Sequence, residues 1–148
     1  MKNLLLLTAI VFALACTKTD QAKIPTSASH VFFRNETEMN NTVQTALEKL
    51  SPGEKMEAIK NVSYIDSKDK SYALVFYRSN KRAGNLLLER RYQNGVLFSA
   101  TSITCEGASC ACKVLTTISD AGSVTVNCSC SSCTMLTNNT VISTISQD

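Results

Sequence analysis

Six of the chain's seven cysteines fall between residues 105 and 133, spaced Cys105-x4-Cys110-x-Cys112 and then Cys128-x-Cys130-x2-Cys133. The order is nearly a mirror image about Ser119-Asp120-Ala121-Gly122-Ser123, a turn by composition. The β-branched runs 113–118 and 124–127 flank it, so an antiparallel hairpin is expected. In such a hairpin, opposed residues have numbers of constant total. Cys110 with Cys130 and Cys112 with Cys128 share one total, and Cys105 with Cys133 falls two short of it. Parity then puts Cys110, Cys112, Val114, Thr116 and Ile118 on one face, with Val124, Val126, Cys128 and Cys130. The other face carries Lys113, Thr117, Ser123, Thr125, Asn127 and Ser129, with Leu115 its one apolar residue. The cysteines are therefore expected on the buried face.

The register has an alternative. A three-residue loop Asp120-Ala121-Gly122, with Gly122 left-handed, pairs Ser119 with Ser123 and slides Cys112 opposite Cys130. A slip of two residues keeps every side chain on its face, so burial does not choose between the registers. Six cysteines also admit many pairings. The set favoured by the mirror order is Cys112–Cys128, Cys110–Cys130 and Cys105–Cys133.

Three chemistries fit the cluster. Disulfides across all six residues suit an exported chain. Four thiolates, Cys110, Cys112, Cys128 and Cys130, on one hairpin face suit Cu(I) or zinc, although the spacing is unlike the paired Cys-x2-Cys knuckles of zinc sites. Thiol exchange at Cys130-Ser131-Ser132-Cys133 needs a depressed thiol pKa, usually supplied by a helix N-terminus, and no helical pattern follows Cys133. The compartment decides among them.

The N-terminus speaks to the compartment. Met1-Lys2-Asn3 is a short positive start, and the apolar run from Leu4 to Ala15 is too short to span a bilayer core. Small residues at Ala13 and Ala15 suit cleavage, so residues 1–15 are expected to be a signal peptide. Ala13-Leu14-Ala15-Cys16 resembles the lipobox of bacterial lipoproteins, in a loose form of the kind found in the Bacteroidota. The resemblance covers about the first 20 residues. It implies that Cys16 is lipidated and that the protein is anchored by acyl chains to a bacterial membrane of the cell envelope, the outer membrane for preference. Each buried CH₂ adds about 0.8 kcal/mol to such anchoring. Residues 16–31 are polar and rich in small residues, and read as a flexible tether ending near His30, the lone histidine.

Beyond the tether, Asn35-Glu36-Thr37-Glu38 is a capping-box arrangement, and Met39, Val43, Ala46, Leu47 and Leu50 recur at helical spacing. A helix is expected over 36–50. Ser51-Pro52-Gly53-Glu54 resembles a second helix start, with Met56 and Ile59 as its apolar contacts and Asn61 at its end. The period then changes to two over 62–66, 72–78, 86–93 and 96–104, with Ser67-Lys68-Asp69-Lys70 as a polar turn and Asn94-Gly95 as a hairpin signal. Leu74, Phe76, Leu86, Leu88 and Phe98 are the expected sheet core. Val141-Ile142-Ser143-Thr144-Ile145 is a candidate for one further strand. The fold class expected is α+β: two N-terminal helices on an antiparallel meander, with a C-terminal cysteine-rich hairpin. Residues 32–148 form a single domain in this reading, with the hairpin module at 105–133.

The functional classes narrow accordingly. A net charge of +3, with 44% hydrophobic and 18% charged residues, excludes wholesale disorder and gives no dense basic stripe for nucleic acid. Arg78, Lys81, Arg82, Arg90 and Arg91 cluster in sequence, but Glu89 interrupts them and no aromatic residues interleave, so charged strand edges explain them. Glu36, Glu38, Glu54 and Glu57 are expected at helix starts. One histidine and no glycine-rich phosphate loop leave no catalytic set, and no cofactor is expected. The reading is a non-catalytic envelope lipoprotein, a binding or structural module with a protein or small-molecule partner. The alternative is an envelope metal or thiol-redox protein using Cys110, Cys112, Cys128, Cys130 and Cys133.

Overall fold

The structure, a computed structural model, describes residues 31–67, 69–93, 96–108 and 110–141. The expected signal peptide, Cys16, His30 and nearly all of the tether lie outside these residues, as do the Asn94-Gly95 dipeptide, residues 142–148 and the side chain of Phe98.

One helix and seven strands make up the described chain: α1 (Glu36–Leu50), β1 (Met56–Asp66), β2 (Lys70–Ser79), β3 (Ala83–Gln93), β4 (Val96–Glu106), β5 (Val114–Ile118), β6 (Val124–Cys128) and β7 (Thr134–Val141). β1 to β4 form an antiparallel meander, and β7 adds to its far edge, giving the order β1-β2-β3-β4-β7. β5 and β6 pair only with each other. The broad expectation of an antiparallel sheet with helix and a cysteine-rich hairpin holds.

The start of α1 follows its sequence signal. Asn35 is the N-cap in extended conformation and its Oδ1 accepts the Glu38 N–H at 2.8 Å. Glu38 reaches back one residue further than a capping box requires, accepting the Arg34 N–H at 2.8 Å. The apolar stripe lands as spaced, with Val43, Ala46, Leu47 and Leu50 all buried.

The expected second helix is instead the first part of β1. Gly53 has φ +78°, a left-handed turn residue that separates α1 from the strand beyond it. Glu54 does not cap a helix but is fully buried against Ser79 and Arg82. Glu57, likewise expected at a helix start, pairs with Arg78 at 2.9 Å from its place on β1. The strand read from the β-branched and aromatic residues beyond Asn61 extends back to Met56, at the cost of irregular pairing between Met56 and Ala58 and between Ile59 and Asn61. Long-range pairing with β2 overrides a local helix-start signal.

Both faces of the sheet are covered. On one, α1 packs Val43, Leu47 and Leu50 against Ala73, Val75, Tyr77, Leu86 and Leu88, with Phe32 closing one side. On the other, Tyr72, Leu87, Ile103 and Cys105 meet Val114, Val124, Val126 and Cys128 of the hairpin. Leu74, expected in the same core as Leu86 and Leu88, packs on this second face. A sheet buried on both sides replaces alternation with apolar runs. Tyr72-Ala73-Leu74-Val75-Phe76-Tyr77 and Leu86-Leu87-Leu88 are such runs.

Candidate functional site

The cysteine module lies on the second face. Its hairpin takes the slipped register: Val114 opposes Cys128, and Ser119 N–H donates to Ser123 O at 2.9 Å around a loop in which Gly122 has φ +75°. The face assignment stands, since Val114 is buried and Leu115 is exposed, but Ile118 sits at the tip and is exposed too. Asn85 of β3 attaches the hairpin to the sheet. Its Nδ2 donates to Val114 O at 2.9 Å and its Oδ1 accepts the Val114 N–H at 2.7 Å, so one buried amide supplies the pairing that a neighbouring strand would supply.

That attachment sets the disulfides. Cys128, opposite Val114, meets Cys105 at the end of β4; Cys105 belongs to the buried cluster and Cys128 packs, partly buried, against it. Cys110 joins Cys130 and Cys112 joins Cys133. The mirror-order set is therefore corrected: Cys110–Cys130 stands, while Cys128 and Cys133 exchange the partners expected for them. The mirror order assumed a continuous ladder out to Cys105. The ladder ends at Val114 and Cys128, and beyond it the chain makes tight turns, with Cys112 N–H donating to Cys110 O at 2.9 Å and Cys133 N–H to Cys130 O at 3.1 Å.

Two of the disulfides touch. Cys110 Sγ lies 3.2 Å from Cys133 Sγ and 3.7 Å from Cys112 Sγ. The sulfurs of Cys110, Cys112 and Cys133 all fall within 4.8 Å of one another. The metal foursome read from the sequence is not assembled: Cys128 is joined to Cys105 in the buried cluster, and Cys133 stands in its place beside Cys110 and Cys112. The backbone crowds in as well. A Cβ on Gly107 would come within 2.8 Å of Cys112 Sγ and 3.0 Å of Ser132 O, so only glycine fits there.

Next to the module, Arg82 at the end of the β2–β3 turn joins three parts of the fold. Its guanidinium donates to both carboxylate oxygens of Glu54 at 3.3 Å, to Cys105 O at 3.2 Å and to Glu106 Oε1 at 2.7 Å. Ser79 Oγ adds a 2.7 Å bond to Glu54. Burial pushes the Glu54 carboxyl up, but the hydrogen bonds from Ser79 and Arg82 and the Arg82 charge outweigh it and hold the group below its ordinary 4.5. Tyr77 lies nearby with its hydroxyl buried, and burial pushes its pKa up to about 12.

The other basic residues of the sequence cluster are similarly engaged. Arg78 pairs with Glu57, Arg91 with Glu89, and Arg90 with Glu38 at 3.3 Å. Arg90 also donates to Phe32 O and stacks 4.5 Å over the Phe32 ring. Lys81 Nζ donates to Pro52 O at 2.9 Å.

Sequence reasoning missed a cleft of about 340 Å³ between α1 and the β3-β4-β7 side of the sheet. Phe32, Ala46, Leu88, Leu97 and Ala100 give it an apolar lining, and Thr45, Lys49, Asn138 and Thr140 add polar groups. Its size is within the range of small-ligand sites. The small residues Ala46 and Ala100 are the only sequence sign of it, and they acquire meaning once helix and sheet are opposed.

No family model matches the chain, and neither the curated proteins nor the solved structures contain a match to it. Among the described residues, no helix is long and apolar enough to cross a membrane.

Proposed function

We propose that this protein is a cell-envelope lipoprotein that works by binding rather than by catalysis, tethered through acylated Cys16 to a bacterial membrane, the outer membrane for preference. The observation that carries the reading is that all six late cysteines are paired with one another. Disulfides persist in oxidising compartments, which is where the lipobox-like N-terminus directs the chain. The cleft beside α1 offers a small molecule an apolar lining with a few polar groups, the usual composition of a binding site. The engaged arginines argue against a nucleic-acid surface, since their charges are already met by carboxylates.

Expression of the full chain with an alkyne-tagged fatty acid tests the anchor. The wild type is expected to carry the tag and to fractionate with membranes, and Cys16→Ala to lose both. An untagged wild type recovered in the cytosol with its leader intact overturns the reading. Thiol counting under denaturant on the same material is expected to find none free among the six late cysteines.

A further inference from the structure

The three disulfides differ in surroundings. Cys105 is 1% exposed and packs with Leu87, Ile103 and Val114, its partner Cys128 is half-buried, and in the other two disulfides all four residues, Cys110, Cys112, Cys130 and Cys133, are half-buried. The outer four lie on two tight turns, Cys110-x-Cys112 and Cys130-x2-Cys133, each closed by its own backbone hydrogen bond. The two turns bring the sulfurs of Cys110, Cys112 and Cys133 within 4.8 Å of one another, and Cys130, bonded to Cys110, supplies the fourth sulfur that a tetrahedral thiolate site needs. With zinc–sulfur bonds of about 2.3 Å, the sulfurs of a tetrahedral site stand about 3.8 Å apart. The non-bonded separations of Cys110 from Cys112 and Cys133, 3.7 Å and 3.2 Å, are already close to that edge. Gly107 holds the backbone tight against Cys112 Sγ and the main chain of Ser132 and Cys133.

We propose that Cys110, Cys112, Cys130 and Cys133, once reduced, form a tetrathiolate zinc site on a scaffold held by the Cys105–Cys128 disulfide. The idea goes beyond the envelope-binding reading and does not depend on lipidation. The redox step balances as two dithiol–disulfide exchanges. Each outer disulfide takes two electrons and two protons from one molecule of a dithiol reductant, which leaves as its own disulfide. Zinc then displaces the four thiol protons to solvent, so binding tightens as pH rises. With Cys105 buried, the inner disulfide is open to an attacking thiolate only from its half-buried Cys128 side, so the scaffold survives conditions that open the outer pair.

The experiment uses the oxidised full chain. It is treated with a graded amount of a small dithiol, which is then removed under anaerobic conditions, and alkylation with mass mapping reports which cysteines have opened. Cys110, Cys112, Cys130 and Cys133 are expected to open before Cys105 and Cys128. Cobalt(II) added as a reporter is expected to give the near-ultraviolet thiolate-to-metal band and the red absorption of tetrahedral coordination, and zinc to displace it. Cys110→Ser/Cys130→Ser, which keeps the other two disulfides, is expected to lose both bands after reduction. Cys105→Ser/Cys128→Ser keeps all four ligands and is expected to retain the bands; if reduction unfolds that variant, zinc is expected to restore its β-sheet circular dichroism. A reduced wild type that binds no cobalt, bands that persist in Cys110→Ser/Cys130→Ser, or a chain that zinc fails to refold would overturn the proposal. None of these outcomes bears on the fatty-acid labelling, so the two readings fail separately.

Discussion

On the helix side of the sheet, Val43, Leu47, Val75 and Leu86 are all wholly buried, and the layer is completed by further apolar side chains of the same strands. On the hairpin side, Leu87 and Val114 are buried to a similar degree, but most of what lies over them is half-exposed: Val124, Val126, Cys112, Cys128 and Cys133. A fifteen-residue amphipathic helix brings enough apolar surface to dock by burial alone, whereas a hairpin of two five-residue strands does not. The shortfall on that side is met by one buried amide, Asn85, and by covalent bonds between sulfurs. One sheet thus shows two ways of attaching a layer, the first insensitive to reductant and the second governed by it.

Three variants test that contrast. Leu47→Ala strikes the helix side and is expected to cost about 3–4 kcal/mol, because the truncated side chain leaves a cavity in a fully buried site. Urea denaturation should find the same loss in oxidised and reduced protein. A loss that depends on reductant would mean the layers are not independent. Cys105→Ala/Cys128→Ala strikes the hairpin side and is expected to cost about 3 kcal/mol. Amide exchange should then show β5 and β6 unprotected while β2 and β3 keep their protection; uniform loss across the sheet would break the comparison.

The third and smallest effect lies where the layers meet. Glu54→Gln is expected to cost about 1–2 kcal/mol at neutral pH, below the full cost of breaking a buried pair because Arg82 keeps Glu106. The sign of its pH dependence follows from the depressed carboxyl: Glu54 contributes stability above its ordinary 4.5 and loses it as pH falls through the lower folded value. Wild type and variant should therefore converge in acid, by denaturation midpoints measured across that range. Curves that stay parallel would show that the Glu54 charge contributes nothing.

Much of the frame could be read from residue order. The helix over 36–50 is declared by Asn35 and by the spacing of Val43, Ala46, Leu47 and Leu50, all local signals. The meander is declared by strand periodicity, whereas β7 runs from Thr134 to Val141, ahead of the β-branched run at 141–145, which beyond Val141 lies outside the described residues. The hairpin faces follow from parity, which survives a slip of register. What parity does not give is where the hairpin lands. Nothing local marks Asn85 as a docking residue, since its partner Val114 is 29 positions away. Without that anchor, the connectivity of Cys105 and Cys133 is undetermined and the mirror order misleads. Glu54 failed for a related reason: a carboxylate three residues after a serine fits a helix cap, and only Arg82, 28 positions later, gives it another use.

β4 and β7 are neighbours in the sheet, with Glu106 directly opposite Thr134, so everything between them is an excursion that leaves the sheet and returns to the same spot. β7 zips onto β4 once residues 107–133 have closed, and the three cross-links shorten that closure by tying its two ends together. Oxidation therefore governs the order of assembly as well as the final stability. Until sulfur chemistry is finished, the outer rim of β4 stays open, a row of unsatisfied peptide groups that a second unfinished chain is equally able to fill.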